Sequence, residues 1–288
     1  MRLITAVCNG DGMPIKTLDL NYAAYERNFN YRMGFDTAYH TQNFIYSNLV
    51  NGVFVDPPMV QVLTQFLQPG DTFMDIGSHI GYYSLLARQV IGTSGRVFAF
   101  EPNPATFSVL VLNSLLNNLG NLHAFNCALA DQPGIATLHI NQSDEGLSSL
   151  HKPADSGPSP AEQKSVMVTA MTLDQLYDLY SFTRVQVVKI DVEGYEWQVI
   201  QGGARFFKEC APPFIVFEVN NMDDSRVSDD FVIRNHFHAM GYHAYLIRPW
   251  PANADSEEQF RDKAVLPLAS NVRLNIGYGN ILLSKHVL

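Results

Sequence analysis

Four carboxylates stand at the ends of short apolar runs, and they are the side chains of this sequence best suited to chemistry. Asp75 ends F-M-D, Glu101 ends V-F-A-F-E, Asp191 follows V-V-K-I and Glu218 follows F-I-V-F. A carboxylate can accept hydrogen bonds from ligand hydroxyls, remove a proton as a general base or help to bind a cation. Because ligands of open α/β sheets bind outside the carboxyl ends of the strands, we expect these acids to face one crevice.

A glycine-containing turn follows the first of these acids. Gly77 and Gly81 stand four residues apart and lead into a predicted helix over 82–91, and Glu101 ends the next predicted strand. Glycines let a ligand approach the backbone closely, and the first N–H groups of a helix can bind an anion. An acid at the end of the second strand can accept hydrogen bonds from both ribose hydroxyls. The combination indicates a site for a cofactor that contains a nucleoside.

The spacing within the turn distinguishes between nucleoside cofactors. A dinucleotide site usually has G-x-G-x-x-G, but the middle glycine is replaced here by His79, and the G-x-x-x-x-G-K of a P-loop is missing. The pattern D-x-G-x-x-x-G, with an acid ending the next strand, is typical of S-adenosylmethionine sites. In that interpretation Asp75 suits the ammonium of the methionine end, and the helix start suits its carboxylate. A nucleotide-dependent oxidoreductase on a similar sheet is the alternative.

Three further segments extend the pattern. F-A-F-E-P-N-P, N-C-A-L-A-D-Q-P-G and V-K-I-D-V-E-G-Y-E follow one another in an order and spacing that resembles the FkbM-like methyltransferases over roughly residues 60–220. The resemblance implies an S-adenosylmethionine-dependent enzyme that O-methylates a hydroxyl of a small-molecule acceptor such as a natural product or a sugar. It implies that the glycine turn lines the methionine end, Glu101 holds the ribose and residues 126–129 border the adenine. The expected cofactor-binding residues are Asp75, Gly77, Ser78, His79, Gly81, Glu101, Asn103, Asn126, Ala128, Leu129 and Asp191.

A hydroxyl acceptor must lose its proton during methyl transfer, and this requires a general base or a metal ion. The candidate catalytic residues are Asp191, Glu193 and Glu218, at the ends of the fourth and fifth predicted strands. Glu193 has the alternative of supporting a helix start, where acids are favoured, and for Glu196 we prefer that structural role.

A divalent cation is a second possibility at the same strand ends. Asp191, Glu218 and Asn220 would offer the oxygen ligands that Mg²⁺ prefers, as in catechol-type O-methyltransferases. Mg²⁺ is therefore an alternative cofactor beside S-adenosylmethionine.

Strand and helix patterns alternate from residue 63 onward, which predicts an α/β fold. We expect a Rossmann-like, seven-stranded class I methyltransferase sheet with a C-terminal antiparallel hairpin of residues 242–247 and 280–284. The methyltransferase domain would span 61–288, and residues 1–60 would form an N-terminal extension that caps the site or recognises substrate. Residues 141–165, rich in Gly, Pro and Ser, predict a long loop, and 166–168 a short strand.

The composition of the chain limits the kinds of binding partner and compartment that we expect. The net charge of −9 and pI of about 5.4 argue against a nucleic-acid substrate. The cysteines Cys8, Cys127 and Cys210 show no paired spacing and predict free buried thiols. No apolar run is long enough to cross a membrane, and we expect a cytoplasmic protein. The aromatic residues of the first 60 positions predict a cap, a partner surface for a homo-oligomer or plain packing.

Overall fold

The computed structural model describes residues 15–151, 163–220, 230–247, 265–269 and 278–288. The strands are β1 (Ile15–Ala24), β2 (Arg27–Asp36), β3 (Thr72–Ile76), β4 (Arg96–Phe100), β5 (Leu122–Phe125), β6 (Ala128–Leu129), β7 (Gly134–Asn141), β8 (Gln163–Met171), β9 (Val187–Ile190), β10 (Phe214–Asn220), β11 (His243–Ile247), β12 (Val265–Leu268) and β13 (Tyr278–Ser284). The helices are α1 (His40–Val50), α2 (Pro57–Phe66), α3 (Tyr82–Ile91), α4 (Pro104–Leu116), α5 (Leu173–Tyr180), α6 (Glu196–Gln201), α7 (Ala204–Glu209) and α8 (Asp230–Ala239).

A mixed sheet forms the centre of the fold, with the order β12-β11-β13-β10-β9-β3-β4-β5. The run from β10 to β5 is parallel, whereas β13 is antiparallel to both β10 and β11. The fold is thus a Rossmann-like α/β methyltransferase fold, as predicted. In the described part of the chain this sheet has eight strands, not seven, because β12 pairs with β11 at the edge. Pro267 lies within β12, and proline is tolerated on an edge strand that needs no further donor.

Apolar side chains of the strands alternate between two core layers. Phe73 and Val187 face a layer shared with α2, α3 and the β1–β2 hairpin, whereas Met74 and Val188 face a layer shared with α5 to α8. Burial on both faces explains why these strands read as continuous apolar runs. Because β10, β9, β3, β4 and β5 are parallel, their carboxyl ends all lie at one edge of the sheet, and the candidate acids lie there too.

The N-terminal segment forms a hairpin that packs against the methyltransferase sheet. Tyr22, Phe29 and Tyr31 are buried in the first core layer, and the hydroxyls of Tyr22 and Tyr31 are 2.9 Å apart. The Asn113 side chain of α4 accepts a hydrogen bond from the Gly34 N–H at 2.6 Å. These aromatic residues serve packing, the most ordinary of the roles expected for them. Substrate recognition by this segment stays a prediction.

The segment predicted as a loop over 141–165 is partly ordered structure. A 3₁₀ turn spans Glu145–Leu147, and β8 begins at Gln163, pairing antiparallel with β7 in a small sheet of order β6-β8-β7. The short strand predicted over 166–168 is thus longer, because β7 supplies a pairing partner from Gln163 to Ala170. No helix within the described ranges is long and apolar enough to cross a membrane.

Candidate active site

A cavity of about 430 Å³ opens at the carboxyl ends of β3, β4, β9 and β10. The predicted site residues that line it are Gly77, Ser78, His79, Glu101, Ala128, Leu129, Asp191, Glu193 and Glu218. The predicted residues Asp75, Gly81, Asn103 and Asn126 do not line it. The side chain of Asn220 lies outside the described part of the structure, so the metal set predicted from Asp191, Glu218 and Asn220 stays a prediction.

The glycine turn is held against both neighbouring strand ends. Gly77 has φ +75°, and a Cβ placed on it would lie 1.7 Å from the backbone oxygen of Asp191. The N–H groups of Gly77 and Ser78 donate to the Phe100 carbonyl at 3.0 and 2.9 Å. Only glycine permits both this conformation and this approach. The turn is therefore fixed before any ligand binds, and the buried Ser78 hydroxyl lines the cavity with no hydrogen-bond partner among the described residues.

Asp75 is fully buried and does not line the cavity. Its Oδ2 accepts a hydrogen bond from the Ser84 hydroxyl in the first turn of α3 at 2.6 Å, and its Oδ1 is 3.7 Å from Lys189 Nζ. Burial raises the pKa of the Asp75 carboxyl, with Lys189 and Ser84 opposing the rise. A carboxylate at a helix start is favourable. Asp75 thus joins the end of β3 to the start of α3, and the ligand contact predicted for it stays a prediction.

Glu101 lies at the edge of the cavity with both oxygens oriented by the backbone. Oε2 accepts a hydrogen bond from the His79 N–H at 2.9 Å, and Oε1 accepts one from the Asn103 N–H at 2.8 Å. Burial raises the pKa of this carboxyl, although His79 and the two N–H groups oppose the rise. A carboxylate has about four acceptor positions, so two remain for a ligand.

Asn103 and Asn126 position this acid without reaching the cavity. Asn103 caps α4 by accepting a hydrogen bond from the Ala105 N–H at 3.1 Å. The Asn126 side chain donates to the Glu101 carbonyl at 2.8 Å. The backbone N–H of Asn103 and the side chain of Asn126 thus both donate hydrogen bonds to Glu101 at the end of β4. The cofactor contacts expected of these two residues remain predictions.

The wall beside Glu101 is apolar. Phe100, Leu129 and Leu138 line it together with Cys127. Burial raises the pKa of the Cys127 thiol to about 12, which keeps it protonated and unreactive. Cys127 is a free buried thiol as predicted, Cys210 is free but half-buried, and Cys8 lies outside the described residues.

The opposite end of the cavity is a charged cluster. Asp191, Glu193 and Glu218 each place a carboxylate oxygen within 4.8 Å of those of the other two. Lys189 lies beside them, with Nζ 2.9 Å from Asp191 Oδ2. Sequence reasoning grouped the three acids but missed Lys189, although a lysine inside the apolar run V-V-K-I was a signal for a buried charge.

The loop that carries two of these acids is braced from inside the protein. Glu193 has φ +56°, a conformation uncommon outside glycine. The Glu196 carboxylate is buried and accepts hydrogen bonds from the Val192 and Gly194 N–H groups at 3.1 and 3.2 Å. Burial raises the pKa of Glu196 to about 7. The structural role predicted for Glu196 is confirmed, and it orients the acid cluster.

The segment after β7 closes the cavity on the side of the N-terminal extension. The Glu145 carboxylate accepts hydrogen bonds from the Thr41 and Gln42 N–H groups at the start of α1, at 3.2 and 3.0 Å. His79 Nε2 is 3.4 Å from Glu145 Oε1. Burial tends to raise the pKa of Glu145, but His79 and the Gln42 N–H outweigh this and leave it below its usual value. Residues about a hundred positions apart thus form one wall.

The strand order and the glycine turn, with an acid ending the adjacent strand, define a class I methyltransferase architecture. Residues 75–244 match the model of the methyltransferase FkbM domain, and the chain belongs to this family. The predicted resemblance is confirmed.

Three relatives show what the chain is similar to. It is 30% identical over 148 residues to Methyltransferase 1 of Beauveria bassiana, covering 46% of this chain and 59% of the relative. It is 28% identical over 162 residues to the hexuronic acid methyltransferase AglP of Haloferax volcanii, covering 56% and 61%. It is 25% identical over 159 residues to the 31-O-demethyl-FK506 methyltransferase FkbM of Streptomyces tacrolimicus, covering 47% and 60%. The chain thus spans about three fifths of the length of these relatives.

Proposed function

We propose that this chain is an S-adenosylmethionine-dependent methyltransferase that O-methylates a hydroxyl of a small molecule, either a natural product or a sugar. The observation that carries the proposal is Glu101, whose oxygens are fixed by two backbone N–H groups at the cavity edge. Two relatives, named for a hexuronic acid and for an FK506 precursor, support a small-molecule acceptor. A protein without transfer activity would not need a cofactor end and an acid cluster in one cavity.

The residues around Glu101 fit the cofactor. The two acceptor positions left on the carboxylate suit a ribose diol, and the apolar wall of Phe100 and Leu129 suits an adenine. The unpartnered Ser78 hydroxyl, on the side of the glycine turn, suits the polar methionine end. Asp75, which the sequence assigned to the ammonium, has in this proposal the role of joining β3 to the start of α3 through Ser84.

The acid cluster supplies the acceptor chemistry. The bound cofactor supplies a methyl group on a sulfonium, which is already an activated leaving group, so positioning provides much of the acceleration. Glu218 is the general base in this proposal, because Asp191 Oδ2 is engaged by Lys189. Asp191 and Glu193 lie beside Glu218, each with a carboxylate oxygen within 4.8 Å of those of the other two, and add to the negative charge at the acceptor position.

The first test is calorimetric titration with S-adenosylhomocysteine, with NADH as the control ligand. We expect Glu101→Gln to weaken S-adenosylhomocysteine about tenfold to a hundredfold, since a charge-assisted hydrogen bond contributes ~1.5–3 kcal/mol. Glu196→Gln is a matched control: Glu196 is also buried and accepts two backbone N–H bonds, but it lies outside the cavity. Equal affinity in the wild type and Glu101→Gln would remove the ribose assignment. NADH binding without S-adenosylhomocysteine binding would favour the oxidoreductase alternative.

A metal-dependent variant of the same reaction is a second candidate. It is favoured by the close approach of Asp191, Glu193 and Glu218, whose oxygens suit Mg²⁺. The Lys189 ammonium, 2.9 Å from Asp191, opposes it by repelling a second cation. Methyl transfer that continues undiminished in EDTA would exclude the metal, and loss of activity restored by Mg²⁺ would establish it.

A further inference from the structure

Lys189 is buried beside the acid cluster. Its side chain is 5% exposed, and its Nζ is 2.9 Å from Asp191 Oδ2 and 3.7 Å from Asp75 Oδ1. The same Nζ lies 5.1 Å from the centre of the Tyr83 ring, and Lys189 also lines the cavity. A lysine is rarely buried unless it is paired, and this one is surrounded by anionic and aromatic groups on several sides.

The surroundings keep this lysine charged. Its Nζ lies within ion-pair distance of Asp191 and 3.7 Å from Asp75, and opposite charges this close favour the charged form of a buried lysine. Lys189 therefore serves here as a hydrogen-bond donor with a positive charge. An ammonium has three donors, of which one bonds to Asp191.

A positive charge beside clustered carboxylates offsets their mutual repulsion, which is also what a bound divalent cation would do. Three carboxylates within 4.8 Å of one another repel each other strongly unless a positive charge lies among them. We propose that the Lys189 ammonium takes the place of a divalent cation in the cluster of Asp191, Glu193 and Glu218, and that it donates a hydrogen bond to the acceptor oxygen. This inference rests on the proposed function only for the identity of the reaction.

The step balances without any further reactant. The acceptor oxygen forms a bond to the methyl carbon while the sulfur–carbon bond breaks, and the bonding electrons remain on sulfur as a thioether. The hydroxyl proton passes to the Glu218 carboxylate and later to water. Lys189 keeps its proton and stabilises the negative charge that develops on the oxygen.

The test is titration with MnCl₂ of three proteins: the wild type, Lys189→Met and Lys189→Arg. Methionine has about the length of lysine without its charge, and arginine keeps the charge. We expect Lys189→Met to gain a Mn²⁺ site that is at least ~10-fold tighter than any in the wild type, because its carboxylates have lost their cation. Mn²⁺ should also raise the melting temperature of Lys189→Met, but not that of Lys189→Arg.

Two results would overturn the inference. One is Mn²⁺ binding to the wild type that is as tight as binding to Lys189→Met, which would mean that the cluster accepts a metal beside the lysine. The other is a folded Lys189→Met that binds no Mn²⁺. If the single variant does not fold, Lys189→Met combined with Asp75→Asn removes the second buried carboxylate near the lysine, and the same two results apply to it.

Titration with S-adenosylhomocysteine separates this inference from the proposed function. If the wild type binds no S-adenosylhomocysteine, the proposed function fails, whereas the Mn²⁺ result still decides whether Lys189 holds a cation position. Once an acceptor is known, methyl transfer should be lost in Lys189→Met, partly restored by MnCl₂ and unaffected by EDTA in the wild type. A structural lysine would give no such rescue by a metal.

Discussion

The two ends of the cavity hold their carboxylates in different ways. At the β3–β4 end, Glu101 is satisfied by two backbone N–H groups from fixed turns. At the β9–β10 end, Asp191 is paired with the buried Lys189 ammonium, and Glu193 and Glu218 lie beside it. Backbone donors fix the position of an acid without adding a full charge, whereas a lysine adds a charge that can act on a ligand.

The comparison indicates how one crevice can serve two ligands. The β3–β4 end is shaped before binding and suits a cofactor that always presents the same groups. The β9–β10 end carries the charges, and it suits a reaction in which charge moves from an oxygen to a base. Similar acids at the carboxyl ends of parallel strands thus have different immediate partners, and we expect these partners to determine what each acid can do.

The largest expected effect is at the backbone contact that joins the two ends. Gly77→Ala would place a methyl group 1.7 Å from the Asp191 carbonyl oxygen. Because that atom belongs to the backbone, the strand ends must separate, and we expect a loss of more than about 3 kcal/mol of stability together with loss of S-adenosylhomocysteine binding. Thermal melting and calorimetric titration measure the two effects.

Gly241→Ala is the matched control for this substitution. Gly241 has φ +84°, close to the +75° of Gly77, but a Cβ there would meet nothing within 4 Å. We expect it to cost only about 1 kcal/mol, the strain of the left-handed conformation alone. If the two variants lost equal stability, the close contact between Gly77 and the Asp191 carbonyl would not account for the effect of Gly77→Ala.

The second prediction compares substitutions of one acid at each end of the cavity. Glu218→Gln should reduce the rate of methyl transfer by ~10²–10⁴-fold, the usual contribution of a general base, and leave S-adenosylhomocysteine affinity unchanged. Glu101→Gln should instead weaken the cofactor and have a smaller effect on the rate at saturating cofactor. Kinetics with an acceptor found by screening sugars and hydroxylated natural products check this. A common loss of affinity in both variants would contradict the division of the cavity.

The smallest effect concerns Glu196, whose carboxylate is satisfied as Glu101 is but lies beneath the charged end. Its folded pKa of about 7 lies above the ordinary 4.5, so the stability that it contributes at low pH is lost as the pH rises from about 4.5 through 7. Glutamine keeps an acceptor oxygen and carries no charge. We therefore expect Glu196→Gln to match the wild type near pH 4.5 and to be more stable by about 1–3 kcal/mol at pH 8. Melting curves across this range would refute the prediction if the difference did not change with pH.

Local patterns in the sequence predicted much of the site. The apolar runs located the strand ends at which the four acids lie. The glycine turn and Glu101 were identified together because their interaction depends on two adjacent strands of known direction. These features follow from short-range conformational preferences and from the regular geometry of a parallel sheet.

Other features were not accessible from the sequence. The hydrogen bond from the Ser84 hydroxyl to the fully buried Asp75 had no local signal in the sequence, and the ligand contact expected of Asp75 stays a prediction. The pairing of Glu145 with the start of α1 joins residues that are far apart in the chain, and no local preference indicates it. Edge strand β12 was missed because its formation depends on β11 as a partner.

The sequence by itself determined the fold class, the glycine turn and the acids at the strand ends, because period, turn chemistry and strand direction are local properties. Only the tertiary structure decided what each acid does. The decisive contact is that of Lys189 in β9 with Asp75 in the neighbouring strand β3, which adds to its ion pair with the nearby Asp191. The charge of a buried group depends on all the groups packed around it, and that arrangement exists only once the sheet has formed.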